Sequence, residues 1–165
     1  MKPSAYTASS QEPALDFRQS PADKSNMAKY LFDGFDRCLY PVQKFQSDSE
    51  RKLAVILERE SRKWFKPARG QFQIYYRCGG DHQEYQPDFV AEAIRAIYML
   101  EPKARNEMDA PEVLGKKEVA VLWCKRASEY AQTHGGKPWK YLLIPHDAIA
   151  ENMTLEGLER QFGVP

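Results

Sequence analysis

The sequence predicts an α/β domain with a mixed central sheet of about four strands flanked by helices, in the order helix, three strands, helix, strand. Three observations carry that reading. Ser47 and Glu50 have the Ser-x-x-Glu spacing of a capping box, and Leu53, Ile56 and Leu57 follow at helical intervals. Phe72, Ile74 and Tyr76 alternate with polar residues, the period of a half-buried strand, while residues 97–100 form a continuous apolar run that suits a strand covered on both faces. Val113, Ala120, Trp123, Ala127 and Tyr130 then hold one face of a long helix.

Residues 1–25 mix Ser, Ala, Pro, Gln and charges with few large apolar side chains. Such a segment cannot bury enough surface to offset its ordering entropy, so it is expected as a disordered tail, with 26–165 as a single domain. The aromatics Tyr30, Phe32, Phe35, Tyr40 and Phe45 open the domain, and Pro41 is expected to end a short helix there. The capped helix spans 48–64. Strands are expected at 71–77, 85–91 and 96–101, with a turn at Gly79-Gly80-Asp81. Residues 92–95 lack the Gly, Asn or Asp of a tight hairpin, and 105–111 read as a loop. The second helix covers 112–133, weakened at Gly115 and stopped by Gly135-Gly136. A short buried strand at 140–145 and an amphipathic helix at 155–162 follow.

Hydrophobic residues make up 42% and charged residues 28%, a balance too polar for a membrane protein. No run approaches the roughly 18 apolar residues that a span requires, and no apolar segment follows the first lysine as in a secretory signal, so a cytoplasmic location without a membrane partner is expected. Cys38, Cys78 and Cys124 are odd in number and far apart, which fits reduced thiols rather than a disulfide framework or a zinc site. His82, His134 and His146 show no ligand spacing. The net charge of +1 does not advertise nucleic-acid binding, so DNA affinity must come from local clusters. One is Arg59, Arg62, Lys63, Lys66 and Arg69, which reads equally as a solvated helix end or a DNA contact.

Pro87-Asp88 and Glu101-Pro102-Lys103 carry the chemistry, with twelve residues between the two acids. If residues 88 and 101 lie on neighbouring antiparallel strands, both carboxylates meet at one sheet edge. Two hard oxygen ligands side by side are what Mg²⁺ requires. Lys103, two residues beyond Glu101, falls on the same strand face, where an ammonium can orient a water and offset phosphate charge. Each motif taken singly also fits a turn residue after proline or a solvated pair at a strand end. Their order within helix, three strands, helix, strand is the common core of PD-(D/E)xK nucleases. Glu50 has two readings, as the third helical residue of the capping box or as an acid that faces the sheet and touches a metal-bound water. Lys116 is either a phosphate contact or an exposed helix lysine.

The stretches FQSDSE, QFQIYYR, YQPDFV, LEPKARNEM, KKEVAVLWC and GGKPWKYLLIPHD resemble, in order, the C-terminal nuclease domain of type III restriction enzyme Res subunits, over residues 28–149. The resemblance implies a restriction-endonuclease-like fold and Mg²⁺-dependent hydrolysis of DNA. It assigns Glu50 as the first-helix acid, Asp88 as the acid of the PD motif, Glu101 and Lys103 as the ExK pair, and Lys116 as the helix lysine. Metal ligands would be Asp88, Glu101 and the backbone carbonyl of Pro102. Two departures accompany it. Pro102 cannot donate a ladder hydrogen bond, so its strand must be at an edge or bulged there. No Gly-x-x-x-x-Gly-Lys-Ser/Thr loop is present, Gly135-Gly136-Lys137-Pro138 lacking both spacing and hydroxyl, so a helicase/ATPase or methyltransferase subunit would be a separate partner.

Two other functions compete with the enzyme: an inactive nuclease-fold module that binds DNA or a helicase, and an interaction domain using the aromatics between Tyr30 and Phe45. The acids at 88 and 101 are expected to stabilise nothing without their ion, so alanine at either should leave the melting temperature unchanged or slightly higher in EDTA.

Overall fold

A computed structural model describes residues 13–164. Four strands form the main sheet: β3 (Lys63–Phe65), β6 (Phe89–Glu92), β7 (Ile97–Lys103) and β8 (Trp139–Pro145), in the order β3-β6-β7-β8. β3 and β6, and β6 and β7, run antiparallel, whereas β7 and β8 are parallel. The parallel pair is joined by the long helix α2 (Pro111–His134), the kind of crossover that parallel neighbours need. The sheet is therefore mixed and flanked by helices, as expected.

Alternation along the strands splits the core into two apolar layers. Tyr98 and Leu100 of β7 and Leu142 and Ile144 of β8 face one layer, with Leu53, Ala54, Ile56 and Leu57 of α1 (Asp48–Glu60) and Leu155 and Leu158 of α3 (Leu155–Phe162). Met99, Tyr141 and Leu143 face the other, against Val113, Ala120 and Cys124 of α2. Among the described residues no helix is long and apolar enough to cross a membrane.

α1 begins where the capping box placed it, the Ser47 side chain accepting from the Glu50 amide at 3.2 Å. It ends four residues earlier than expected. Trp64 is needed elsewhere: its side chain is fully buried, its backbone pairs with Ala91, and its indole N–H donates to Glu58 at 2.9 Å. Tertiary burial of an aromatic residue thus overrides the helical tendency of residues 61–64, and Pro67 holds the following chain extended.

The expected first strand is also corrected. Among the described residues β4 (Ile74–Cys78) pairs only with β5 (Asp81–Tyr85), so 71–77 and 96–101 belong to separate sheets and β3 supplies the first strand of the main sheet. The Gly79-Gly80 turn closes this hairpin, with Gly79 at φ +64°, a conformation that costs glycine little. Ile74, Tyr76 and Tyr85 anchor the hairpin in the α2 layer. With it set aside, the sheet and its two long helices run α1-β3-β6-β7-α2-β8.

The expected tail boundary moves as well. Residues 1–12 lie outside the described residues, but β1 (Leu15–Asp16) pairs with β2 (Phe32–Asp33) and Phe17 is 1% exposed in the core. The buried Arg51 ties this segment down, donating to the Phe17 carbonyl at 3.0 Å, to Asp48 at 2.8 Å and to Glu151 at 3.1 Å. In place of a helix before Pro41 there is one 3₁₀ turn, Met27–Lys29, and then β2. Phe32 and Phe45 are fully buried, and Phe35 packs edge-on to Trp64 at 5.3 Å. These three aromatics pack in the core, whereas Leu39, Tyr40 and Val42 of the same segment are exposed.

Candidate active site

The antiparallel register pairs Phe89 with Leu100 and Val90 with Met99. Continuing it by one step sets Asp88, the residue just before β6, opposite Glu101 of β7. Residues opposite each other share a face, and Glu101 and Lys103 share theirs by strand alternation, so all three belong to the α2 side of the sheet. Asp88 lies off the end of the strand rather than within it, β5 having ended at Tyr85.

Pro102 is accommodated without a bulge. β7 pairs with β8 in unbroken register to Lys103, but β6 ends opposite Leu100, so beyond that point one side of β7 has no ladder. The strand is internal to the sheet yet locally an edge, where a missing N–H is tolerated.

Glu101 is 4% exposed. One of its oxygens, Oε2, accepts from the Tyr85 hydroxyl at 2.7 Å and from the Tyr141 hydroxyl at 3.2 Å, while Oε1 lies 3.9 Å from the Lys103 ammonium. Asp88 is half-buried, and desolvation together with the negative charges of Glu101 and Glu50 pushes its carboxyl up to about 7, against the opposing pull of Lys66 and Lys103.

Glu50 is buried and reaches this group from α1 on the opposite layer. Its Oε1 accepts from the Lys66 ammonium at 2.8 Å and from the Gln46 amide at 3.3 Å, so the reciprocal arm of the capping box goes to Gln46 rather than Ser47. Lys66 also donates to the Asp88 carbonyl at 3.3 Å and stands 4.1 Å over the Phe89 ring. Of the basic cluster only this lysine enters the group. Arg59 bonds to the carbonyls of Glu151 and Met153, and Arg69 projects into solvent beside Glu84. Arg59 is in the last turn of α1, as a helix-end reading expects, but Arg62, Lys63, Lys66 and Arg69 lie beyond it, and the sequence had no means of separating Lys66 from its neighbours.

Lys116 stands farther out on α2, 3.3 Å from Glu112 and 5.5 Å over the Tyr76 ring; burial lowers its pKa, but Tyr76, Glu112 and, least of these, Glu101 raise it on balance. Tyr85 and Tyr141 were not anticipated, because no spacing links a hairpin residue to a residue of β8. Among the described residues no set of three or more His, Cys, Asp and Glu side chains converges on one point. The register sets two carboxylates opposite each other at the end of β6, with Glu50 held by its lysine.

The raised carboxyl has a consequence for stability. An unfolded aspartate releases its proton near 3.9, whereas folded Asp88 keeps its proton to about 7. Between these values the folded chain binds more protons, so this contribution is full below about pH 4 and is lost as pH rises through 7. Asp88→Asn should thus be more stable than wild type at pH 8 in EDTA, by at most about 4 kcal/mol at ~1.4 kcal/mol per pKa unit, and should approach it at pH 4. A stability difference that does not change with pH would contradict this.

No family model matches the chain, and no curated protein matches it.

Proposed function

We propose that this chain is a Mg²⁺-dependent endonuclease domain of the PD-(D/E)xK type that hydrolyses DNA phosphodiester bonds, resembling the nuclease part of a type III restriction Res subunit. The observation that carries this reading is Asp88 facing Glu101 across the ends of β6 and β7, with Lys103 beside Glu101 on the same face. The main-sheet order α1-β3-β6-β7-α2-β8, with the β4–β5 hairpin inserted between β3 and β6, supports it, being the helix, three strands, helix, strand of that class.

Asp88, Glu101 and the Pro102 carbonyl would hold Mg²⁺. Asp88 argues for their fit: burial, and after it the charges of Glu101 and Glu50, pushes its carboxyl up to about 7, a penalty on negative charge that a hard divalent cation would relieve. When bound, the ion supplies charge neutralisation at the phosphate and a more acidic water. Lys103 orients the attacking water and offsets the negative charge that develops on the phosphate oxygens. Lys66 fixes Glu50 and the Asp88 main chain together, and Lys116 is positioned to contact a neighbouring phosphate. Any motor or methyltransferase activity would come from separate subunits.

Binding and chemistry can be tested apart. An ion that binds only the folded state raises stability by about 2.7 kcal/mol at a hundred times its dissociation constant. Wild type should show such a gain with Mg²⁺, and Asp88→Ala should not. Lys103→Ala should keep the gain but cleave DNA about 10²-fold more slowly, the usual cost of losing one preorganised charge-stabilising group. Equal cleavage by Lys103→Ala and wild type would remove the lysine from the mechanism. DNA binding without cleavage by wild type would favour the inactive module instead.

A further inference from the structure

We infer that Tyr85 and Tyr141 are positioning residues: their hydroxyls clamp Oε2 of Glu101 and leave Oε1, on the Lys103 side, to meet the divalent cation. The inference rests on the nuclease reading and deepens it by naming what holds the Glu101 ligand in place.

Glu101 sits among apolar neighbours of the α2 layer, including Met99, Leu143 and Tyr141. A carboxylate there must be hydrogen-bonded, and the choice of partner decides what it can still do. A lysine or arginine on both oxygens would cancel its charge and compete with a metal. Tyrosine hydroxyls satisfy one oxygen while remaining neutral, so the full negative charge stays available. The nearest ammonium, that of Lys103, is 3.9 Å from Oε1, a longer approach than either hydroxyl makes to Oε2.

The two donors come from different parts of the fold. Tyr141 is on β8 and pairs with Met99, two residues before Glu101 on the neighbouring strand. Tyr85 ends the β4–β5 hairpin, which has no ladder to the main sheet. Both rings are almost fully buried, at 1% and 2% exposure, so neither hydroxyl can swing out to solvent. Two bonds from two directions to one oxygen fix the plane of the carboxylate, where a single bond would leave it free to rotate.

The test compares Tyr85→Phe and Tyr141→Phe with Tyr98→Phe in the full chain, measuring Mg²⁺ affinity by calorimetry alongside cleavage. Phenylalanine keeps the ring and hence the packing. Tyr98→Phe removes a tyrosine hydroxyl of the opposite layer, bonded to Glu159 and not to Glu101. Loss of an orienting partner of a metal ligand typically weakens metal binding 10–100-fold. Tyr85→Phe and Tyr141→Phe should each weaken Mg²⁺ binding by about tenfold or more, and excess Mg²⁺ should restore much of the cleavage rate. Tyr98→Phe should bind Mg²⁺ as wild type does. If the two test variants bind Mg²⁺ like Tyr98→Phe, the inference is overturned while the nuclease reading stands. If wild type itself binds no Mg²⁺, or binds it equally after Asp88→Asn, both are overturned.

Discussion

Replacing Asp88 by alanine is expected to abolish Mg²⁺-dependent cleavage, with a fall of at least about 10³-fold, equivalent to some 4 kcal/mol of transition-state stabilisation. Among the described residues the half-buried carboxyl makes no side-chain hydrogen bond that the fold would miss, and its charge is disfavoured by burial and by Glu101 and Glu50. Folding should therefore survive, with stability in EDTA at neutral pH equal to wild type or slightly higher. Glu101 is different, and here the expectation from sequence is corrected. Alanine at 101 would leave the buried Tyr85 and Tyr141 hydroxyls without their shared acceptor, and each orphaned group costs about 1–3 kcal/mol. Activity should be lost at both positions, but only Glu101→Ala should also lower the melting temperature. Cleavage by Asp88→Ala at the wild-type rate would refute the catalytic assignment.

The largest effect on stability is expected at Arg51, next to Glu50 on α1 but bonded to other partners. Its side chain is 1% exposed and joins α1 to two other segments, through the Phe17 carbonyl and Glu151, while also bonding Asp48 in its own first turn. Removing one partner of a buried charged network leaves the others uncompensated and typically costs about 3–5 kcal/mol. At roughly 2–4 °C per kcal/mol for a chain of this size, Arg51→Ala should melt some 10 °C below wild type. The cleavage rate per folded molecule should be unchanged at low temperature. A loss below about 1 kcal/mol would show that Asp48 and the Phe17 carbonyl find other partners easily.

What was legible in the sequence was what local pattern decides. Ser47 and Glu50 gave the start of α1, the apolar stripe and Gly135 gave α2, and 155–162 reads as a helix with the bounds it has. The two segments that follow Asp88 and lead to Glu101 are antiparallel neighbours, as the site reading required, because antiparallel register depends only on spacing around one connection. Contacts distant in sequence were not legible. Lys63–Phe65 joins the sheet because Trp64 is drawn against Ala91, and nothing in residues 48–64 signals that. Alternation in Phe72, Ile74 and Tyr76 correctly marked a strand but could not tell which partner it takes, and the strand lies in a hairpin of its own. The polar composition of 13–25 concealed Phe17, whose burial depends on a guanidinium 34 residues away.

The same limit applied to the site. Glu50, Asp88, Glu101 and Lys103 could be proposed from motif and resemblance, whereas Lys66, Tyr85 and Tyr141 belong to it only through three-dimensional contacts.

The most direct measurement of the central claim is incubation of supercoiled DNA with the purified chain in Mg²⁺ and in EDTA, beside Asp88→Asn under the same conditions. The account predicts strand cleavage by wild type in Mg²⁺, none in EDTA and none by the variant. Cleavage that persists in EDTA or in Asp88→Asn, or intact DNA with folded wild type in Mg²⁺, would contradict it.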